Sequence, residues 1–224
     1  HKGLNELHQK EEVKVEIDVL EAEDIPLDII YEDDDIIIVN KDNHMVVHPA
    51  VGNQTGTLVN ALLHHSVLSK EESFRPGIVH RIDAQTTGLL VVAKNDAAHE
   101  FLANEIASKN VKREYIALVH GKILNDTGTI DAPIGRSLKD RKKMTVIATG
   151  KKAITHFKVL ERFEEATLIK VELETGRTHQ IRVHMQYIGF PIVNDHVYGQ
   201  KGKHNDFGQC LHAYRLTLIH PTTN

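Results

Sequence analysis

Tryptophan is absent from this 224-residue chain, and the other aromatics are sparse, five Tyr and six Phe. Any site that needs a ring therefore has few residues to draw on. One cysteine, Cys210, excludes an intrachain disulfide framework and fits a reducing, cytoplasmic setting. It lies in CLHAYRLTLIH, which reads as a strand, so a buried structural thiol is expected. No apolar run approaches the ~20 residues of a membrane helix, and no signal peptide opens the chain. The expectation is a soluble protein without membrane association. Glycine-rich phosphate loops and dinucleotide fingerprints are missing as well. The 16 histidines invite a metal site, but their spacing argues against one. His179 and His184 are five apart and His64 and His65 are adjacent, so neither pair gives the i, i+4 face of a helical zinc site. No metal and no cofactor are expected.

What is present is unevenly distributed charge. Residues 1–35 hold 13 acids against 3 Lys, a net of −10, and the remainder holds 24 Lys plus Arg against 18 acids, a net of +6. An acidic leader is thus joined to a mildly basic body. The densest basic run is Arg136 to Lys152, RSLKDRKKMTVIATGKK, with seven cations and one acid. By composition such a run is a solvated loop or hairpin; it becomes a phosphate-contact candidate only beside other signs of an RNA enzyme.

Short strands and helices alternate without a repeating period, and the length suits one large or two small domains. Ile36 to Asn40 reads as a buried strand. Thr57 to His65 and Asp96 to Ser108 read as helices, the second with Ala98, Leu102 and Ile106 at intervals of four and Asn95 or Asp96 as N-cap. Further strands are expected at Leu89 to Ala93, Tyr115 to Val119, Ile154 to Leu160, Thr167 to Leu173 and Leu211 to Ile219. Hairpin-length connections such as Arg162 to Ala166 favour antiparallel pairing. The fold class is α+β with a mixed, mainly antiparallel sheet.

The segment GIVHRIDAQTTGLLVVAK, from Gly77, puts one carboxylate, Asp83, on a turn directly before an apolar strand. Local pattern alone supports an Asx-turn in which Asp83 caps its own loop. Tyr115 begins the strand YIALV, where a half-exposed edge ring is the ordinary outcome. In RTHQIRVHMQYI, from Arg177, the residues Ile181, Met185 and Ile188 share one helical face, and Arg182 lies about 100° away at its rim, usually a solvated flank.

These segments resemble the RluA-like pseudouridine synthases. The family pattern H-R-L-D-x-x-T-[ST]-G-L is met by His80, Arg81, Ile82, Asp83, Ala84, Gln85, Thr86, Thr87, Gly88 and Leu89. Ile82 replaces Leu, and Ala84-Gln85 replaces a pair that is commonly Lys-Asp. VNKDNHMVVHP from Val39, KREYIALVHG from Lys112 and ETGRTHQIRVHMQYIGFPIVNDHVYG from Glu174 resemble the family in the same order, so the likeness spans about residues 25–220. Where a Lys-Pro-x-Gly turn is usual, this chain has Lys41, Asp42, Asn43 and His44.

The resemblance implies a curved sheet with flanking helices and an active site in a cleft across it. It implies isomerisation of uridine to pseudouridine in RNA, ribosomal RNA of the large subunit before transfer RNA, by a cytoplasmic monomer without cofactor. Asp83 is then the nucleophile, Tyr115 the ring stacked on the target uracil, and Arg182 the partner of the Asp83 carboxylate. A stacked ring is worth ~1–3 kcal/mol per base and tolerates neighbouring sequence. A guanidinium can fix a carboxylate through a bidentate pair. Ile181 lies against the base, His80 and Thr86 line the substrate site, and Arg81 fills the space left by the extruded nucleotide. Arg136, Lys139, Arg141, Lys142 and Lys143 become phosphate contacts. The expected domain bounds are an acidic leader or linker over residues 1–24, read as a trimmed end or a leader remnant because the chain starts at His1 without Met, and a catalytic domain over residues 25–224. Two other classes stay open: a non-catalytic RNA-binding protein of the same fold, and a hydrolase acting on nucleosides, which would need a second carboxylate as general acid.

Overall fold

The computed structural model describes residues 20–72, 75–202 and 204–223. Most of the expected leader, residues 1–19, lies outside them. Strands β1 (Ile29–Glu32) and β2 (Ile36–Lys41) are followed by α1 (Leu58–His65), β3 (Thr87–Ala93), α2 (Asp96–Ala107) and β4 (Lys112–His120). Then come β5 (Thr127–Asp131), β6 (Ile134–Arg136), β7 (Met144–Val146), β8 (Ile154–Arg162), β9 (Ala166–Leu173), α3 (Gln180–Tyr187) and β10 (Leu211–Thr217). Eight strands form one sheet in the order β1-β2-β3-β10-β4-β9-β8-β5, while β6 and β7 make a separate hairpin. Only β10 against β3 is parallel; every other named pair is antiparallel, as expected for an α+β mixed sheet.

Strand alternation sends the two faces of β3 into different cores. Leu90 and Val92 join the main cluster with Leu58 and Leu62 of α1, Tyr115 and Ala117 of β4, and Ile181 and Met185 of α3. Val91 and Ala93 point the other way, onto Ala98 and Leu102 of α2. The helix ends are closed locally. Thr57 caps α1 in a reciprocal capping box with Asn60, and the Asn95 side chain caps α2 by accepting from the Ala98 N–H.

Gly88 is what allows the start of β3 to meet β10. It pairs with Ala213 at φ +123, and a Cβ there would lie 2.2 Å from the Ala213 carbonyl oxygen. Several expected bounds shift by one to three residues: β4 starts at Lys112 rather than Tyr115, the last strand ends at Thr217 rather than Ile219, and the helix within the Arg177 to Ile188 segment is Gln180–Tyr187. One expectation is overturned. Cys210 is exposed, because it sits just before β10 rather than inside it, although partial burial still raises its thiol pKa.

Candidate active site

A cleft on the α1 and α3 side of the sheet is lined by Asp83, Thr86, Tyr115, Leu173, Ile181 and Arg182, among others. Asp83 reaches it from the connection before β3. The Thr86 N–H donates to the Asp83 carbonyl at 3.0 Å, closing a four-residue turn, and buried Lys41 holds the same turn from below. The Lys41 Nζ donates to the carbonyls of Ala84 at 3.0 Å and Asp42 at 2.7 Å. The unusual Lys-Asp-Asn-His segment thus supplies a cation to the Asp83 loop. Burial lowers the Lys41 pKa to about 8, against the pull of Asp83 and Asp42.

Arg182 is a buried ion-pair centre rather than a solvated flank. Its Nη1 donates to Asp83 Oδ2 at 3.0 Å. The bidentate pair expected with Asp83 is made instead with Asp195, through Nε to Oδ2 at 2.7 Å and Nη2 to Oδ1 at 2.9 Å. Asp195 also accepts the backbone N–H groups of Val197 and Tyr198, both at 3.0 Å. Burial opposes charge on both partners but is outweighed by these bonds, so the Arg182 pKa is raised and that of Asp195 lowered. The Tyr198 ring lies 5.0 Å from the Arg182 guanidinium carbon and covers its other face.

His179 stands on the opposite side of Asp83, at the N-terminus of α3 in the left-handed conformation with φ 57. The Met144 N–H donates to the Tyr198 hydroxyl at 2.8 Å, and that hydroxyl is 2.7 Å from His179 Nδ1. With Tyr198 donating to Nδ1, the neutral His179 ring carries its proton on Nε2, which faces Asp83 Oδ1 at 3.9 Å. Burial lowers the His179 pKa against the attraction of Asp83. A chain of contacts therefore runs from the backbone of β7 through Tyr198 and His179 to Asp83.

Tyr115 is buried on a central strand, between Val171 of β9 and Ala213 of β10, not on an edge. Burial raises its pKa, so the hydroxyl stays protonated. Thr86 is buried and its hydroxyl accepts from Gln209 Nε2 at 3.0 Å. Arg81 is exposed and reaches across the cleft mouth to Thr178 Oγ1 at 3.0 Å. His80 points elsewhere: its Nε2 accepts the Val91 N–H at 3.1 Å, and the ring lines a neighbouring cavity. The basic run forms the β6–β7 hairpin with its cations exposed, and Arg136 donates to the Arg141 carbonyl at 2.6 Å.

Sequence reading missed Lys41, His179, Asp195 and Tyr198 as parts of the site. Asp195 and Tyr198 sit in the quoted NDHVYG segment, which was the available signal. Remote from the cleft, Asp33, Asp35 and His220 bring carboxylate and imidazole atoms within 4.8 Å of one another, a grouping that histidine spacing did not reveal.

A carboxylate fixed by a buried guanidinium beside a sheet-borne tyrosine is an arrangement that suits covalent chemistry on a base. The chain belongs to the RNA pseudouridylate synthase family, whose profile matches residues 35–187. Among curated relatives, it is 58% identical over 209 residues to an uncharacterized RNA pseudouridine synthase of Bacillus subtilis, YlyB, covering 92% of this chain and 69% of that one. It is 48% identical over 215 residues to ribosomal large subunit pseudouridine synthase D of Pseudomonas aeruginosa, covering 90% and 67%. Of solved structures, human RNA pseudouridylate synthase domain containing 1 matches with TM-score 0.71 at 28% identity, over 85% of this chain and 78% of that one. The protein is an RNA pseudouridine synthase, an isomerase.

Proposed function

We propose that this enzyme converts uridines of large-subunit ribosomal RNA to pseudouridine, with Asp83 as nucleophile on a base flipped into the cleft. The carrying observation is the Asp83 carboxylate itself: Oδ2 is fixed by Arg182 at 3.0 Å, while Oδ1 faces the neutral His179 ring, whose Nε2 lies 3.9 Å away. An oriented carboxylate with one open oxygen suits attack on carbon. If Asp83 attacks the anomeric carbon, the N1–C1′ bond breaks as the Asp83–C1′ bond forms, the base turns, and C5 displaces the carboxylate from C1′ before losing its proton. If Asp83 adds to carbon six, the N1–C1′ bond breaks, the base turns, C5 bonds to C1′, and loss of the C5 proton accompanies expulsion of the carboxylate from C6. Tyr115 supplies the stacking ring and Ile181 the aliphatic wall. Arg81 takes the place of the extruded nucleotide, and removing a base from its stack costs a few kcal/mol. Arg136, Lys139, Arg141, Lys142 and Lys143 contact phosphates from the hairpin. Thr86 shapes the wall of the cleft, and His80 lines the neighbouring cavity.

Ribosomal RNA is favoured over transfer RNA by the similarity to several large subunit pseudouridine synthases D, at 45–49% identity. The hydrolase reading weakens because Asp195, the nearby second carboxylate, is bonded to Arg182 rather than free as a general acid. Among the described residues no helix is long and apolar enough to cross a membrane, and we place the enzyme in the cytoplasm as a monomer whose catalytic domain spans residues 25–224. Mapping pseudouridines in RNA from cells lacking the protein tests the substrate. Missing modifications in large-subunit ribosomal RNA are expected; losses confined to transfer RNA would overturn that target and leave the isomerase assignment standing.

A further inference from the structure

Behind Arg81 a second cavity of about 350 Å³ adjoins the cleft and shares Arg81, Arg113, Gly176 and Arg177 with it. Its walls carry five cations, Arg75, Arg81, Lys109, Arg113 and Arg177, against one acid, Glu174, which lies 3.6 Å from His156. Two of its donors are unpartnered among the described residues: the buried Arg113 Nε and His80 Nδ1. Because the Val91 N–H donates to His80 Nε2, the neutral ring holds its proton on Nδ1, so both orphans are N–H groups. Burial, reinforced by the Arg113 charge, lowers the His80 pKa to about 3, which keeps that ring neutral at physiological pH. Buried donors without acceptors are costly, and a cavity of such charge is unfavourable while it is empty of anions.

We infer that this cavity binds a backbone phosphate of the RNA strand next to the flipped uridine. The inference rests on the proposed function and adds a subsite distinct from the exposed β6–β7 hairpin. Phosphate is the chemistry that satisfies planar guanidinium donors and a neutral imidazole N–H together. The shared wall at Arg81 and Arg113 places that phosphate beside the nucleotide whose base enters the cleft. Gly176 contributes by leaving room: a Cβ there would lie 2.8 Å from Arg113 Nη1.

Arg75 and Lys109 are exposed and line this second cavity but not the cleft, so they can be removed without touching the cleft lining. RNA affinity is measured against salt for the wild type, for Arg75→Ala with Lys109→Ala, and for a control pair of equal charge loss, Lys122→Ala with Lys158→Ala. The cavity pair should flatten the log-log slope by about 0.7–0.9 per lost contact, and the control pair should leave it near wild type. Tritium release from uracil labelled at C5, measured for the wild type, reads the proposed function separately from binding. Equal slopes for the two pairs would overturn the inference. Calorimetry with inorganic phosphate separates the sources: phosphate binding lost in the cavity pair with an unchanged RNA slope would make this a free-anion site and overturn it too. If the wild type releases no tritium while the slopes still differ, the proposed function fails and the phosphate subsite stands.

Discussion

Lys41 has 2% of its surface exposed, yet it carries an ammonium that serves two carbonyls of the Asp83 turn. Burial lowers its pKa to about 8 from 10.5. Between those values the unfolded chain holds a proton that the folded chain has released, so this group's contribution to stability grows as pH rises through that window and is lost again as pH falls through 8. Lys41→Met should remove that slope from denaturation midpoints measured across the window, and a variant with the wild-type slope would contradict the account. Tyr198→Phe tests the link from the hairpin backbone. It keeps the ring over Arg182 but leaves the Met144 N–H and His179 Nδ1 unpartnered, which should cost about 1–3 kcal/mol in chemical denaturation and lower kcat with little change in KM. Wild-type stability and rate together would remove the link. Asp83, Tyr115 and Arg182 were singled out because their segments resemble a family motif; local pattern alone gave a capping turn, an edge ring and a solvated flank. Lys41 and Asp195 were not, since their roles arise from contacts with Ala84, 43 residues away, and with Arg182, 13 residues away, that no local period encodes.

The elements show why some segments could be read and others could not. β2 and β3 are largely buried, and α1 buries the continuous run Leu58 to Leu62, so apolar runs mark them. β5 buries one residue of five and β1 none fully, and β6 and β7 have three residues each, too short to show alternation. The basic run Arg136 to Lys152 was legible as a composition, but the packing of the β6–β7 hairpin against Tyr198 and Val183 was not. Gly88 is the element-scale test, because it alone lets β3 lie against the backbone of β10 at the point where the Asp83 turn ends. Gly88→Ala should lose at least about 1–3 kcal/mol from overpacking, with backbone strain adding to it. A denaturation free energy within about 0.5 kcal/mol of wild type would show that the strand junction yields more easily than its geometry implies.

At the scale of the whole molecule, the site is a product of topology. Lys41, Asp83, Tyr115, Arg182 and Tyr198 come from strands, connections and helix α3 far apart in the chain, and β2, β3, β10 and β4 are consecutive neighbours in the sheet that carries Lys41 and Tyr115. The α+β class and the mainly antiparallel pairing were readable from alternation and hairpin lengths, but the strand order, with β10 inserted between β3 and β4, was not, because pairing between distant strands leaves no mark in either one. Charge follows the same logic: a chain of net −4 still presents a cavity of five cations and a basic hairpin beside its cleft. The central claim is that this architecture exists to hold Asp83 as a nucleophile. Asp83→Asn conserves volume and can still hydrogen-bond in the turn, so with its fold checked by thermal transition it isolates the chemistry. The measurement is tritium release from RNA labelled at C5 of uracil, since that hydrogen must leave when the new glycosidic bond forms. The account predicts no detectable release by folded Asp83→Asn with RNA affinity largely retained; release at the wild-type rate would contradict it.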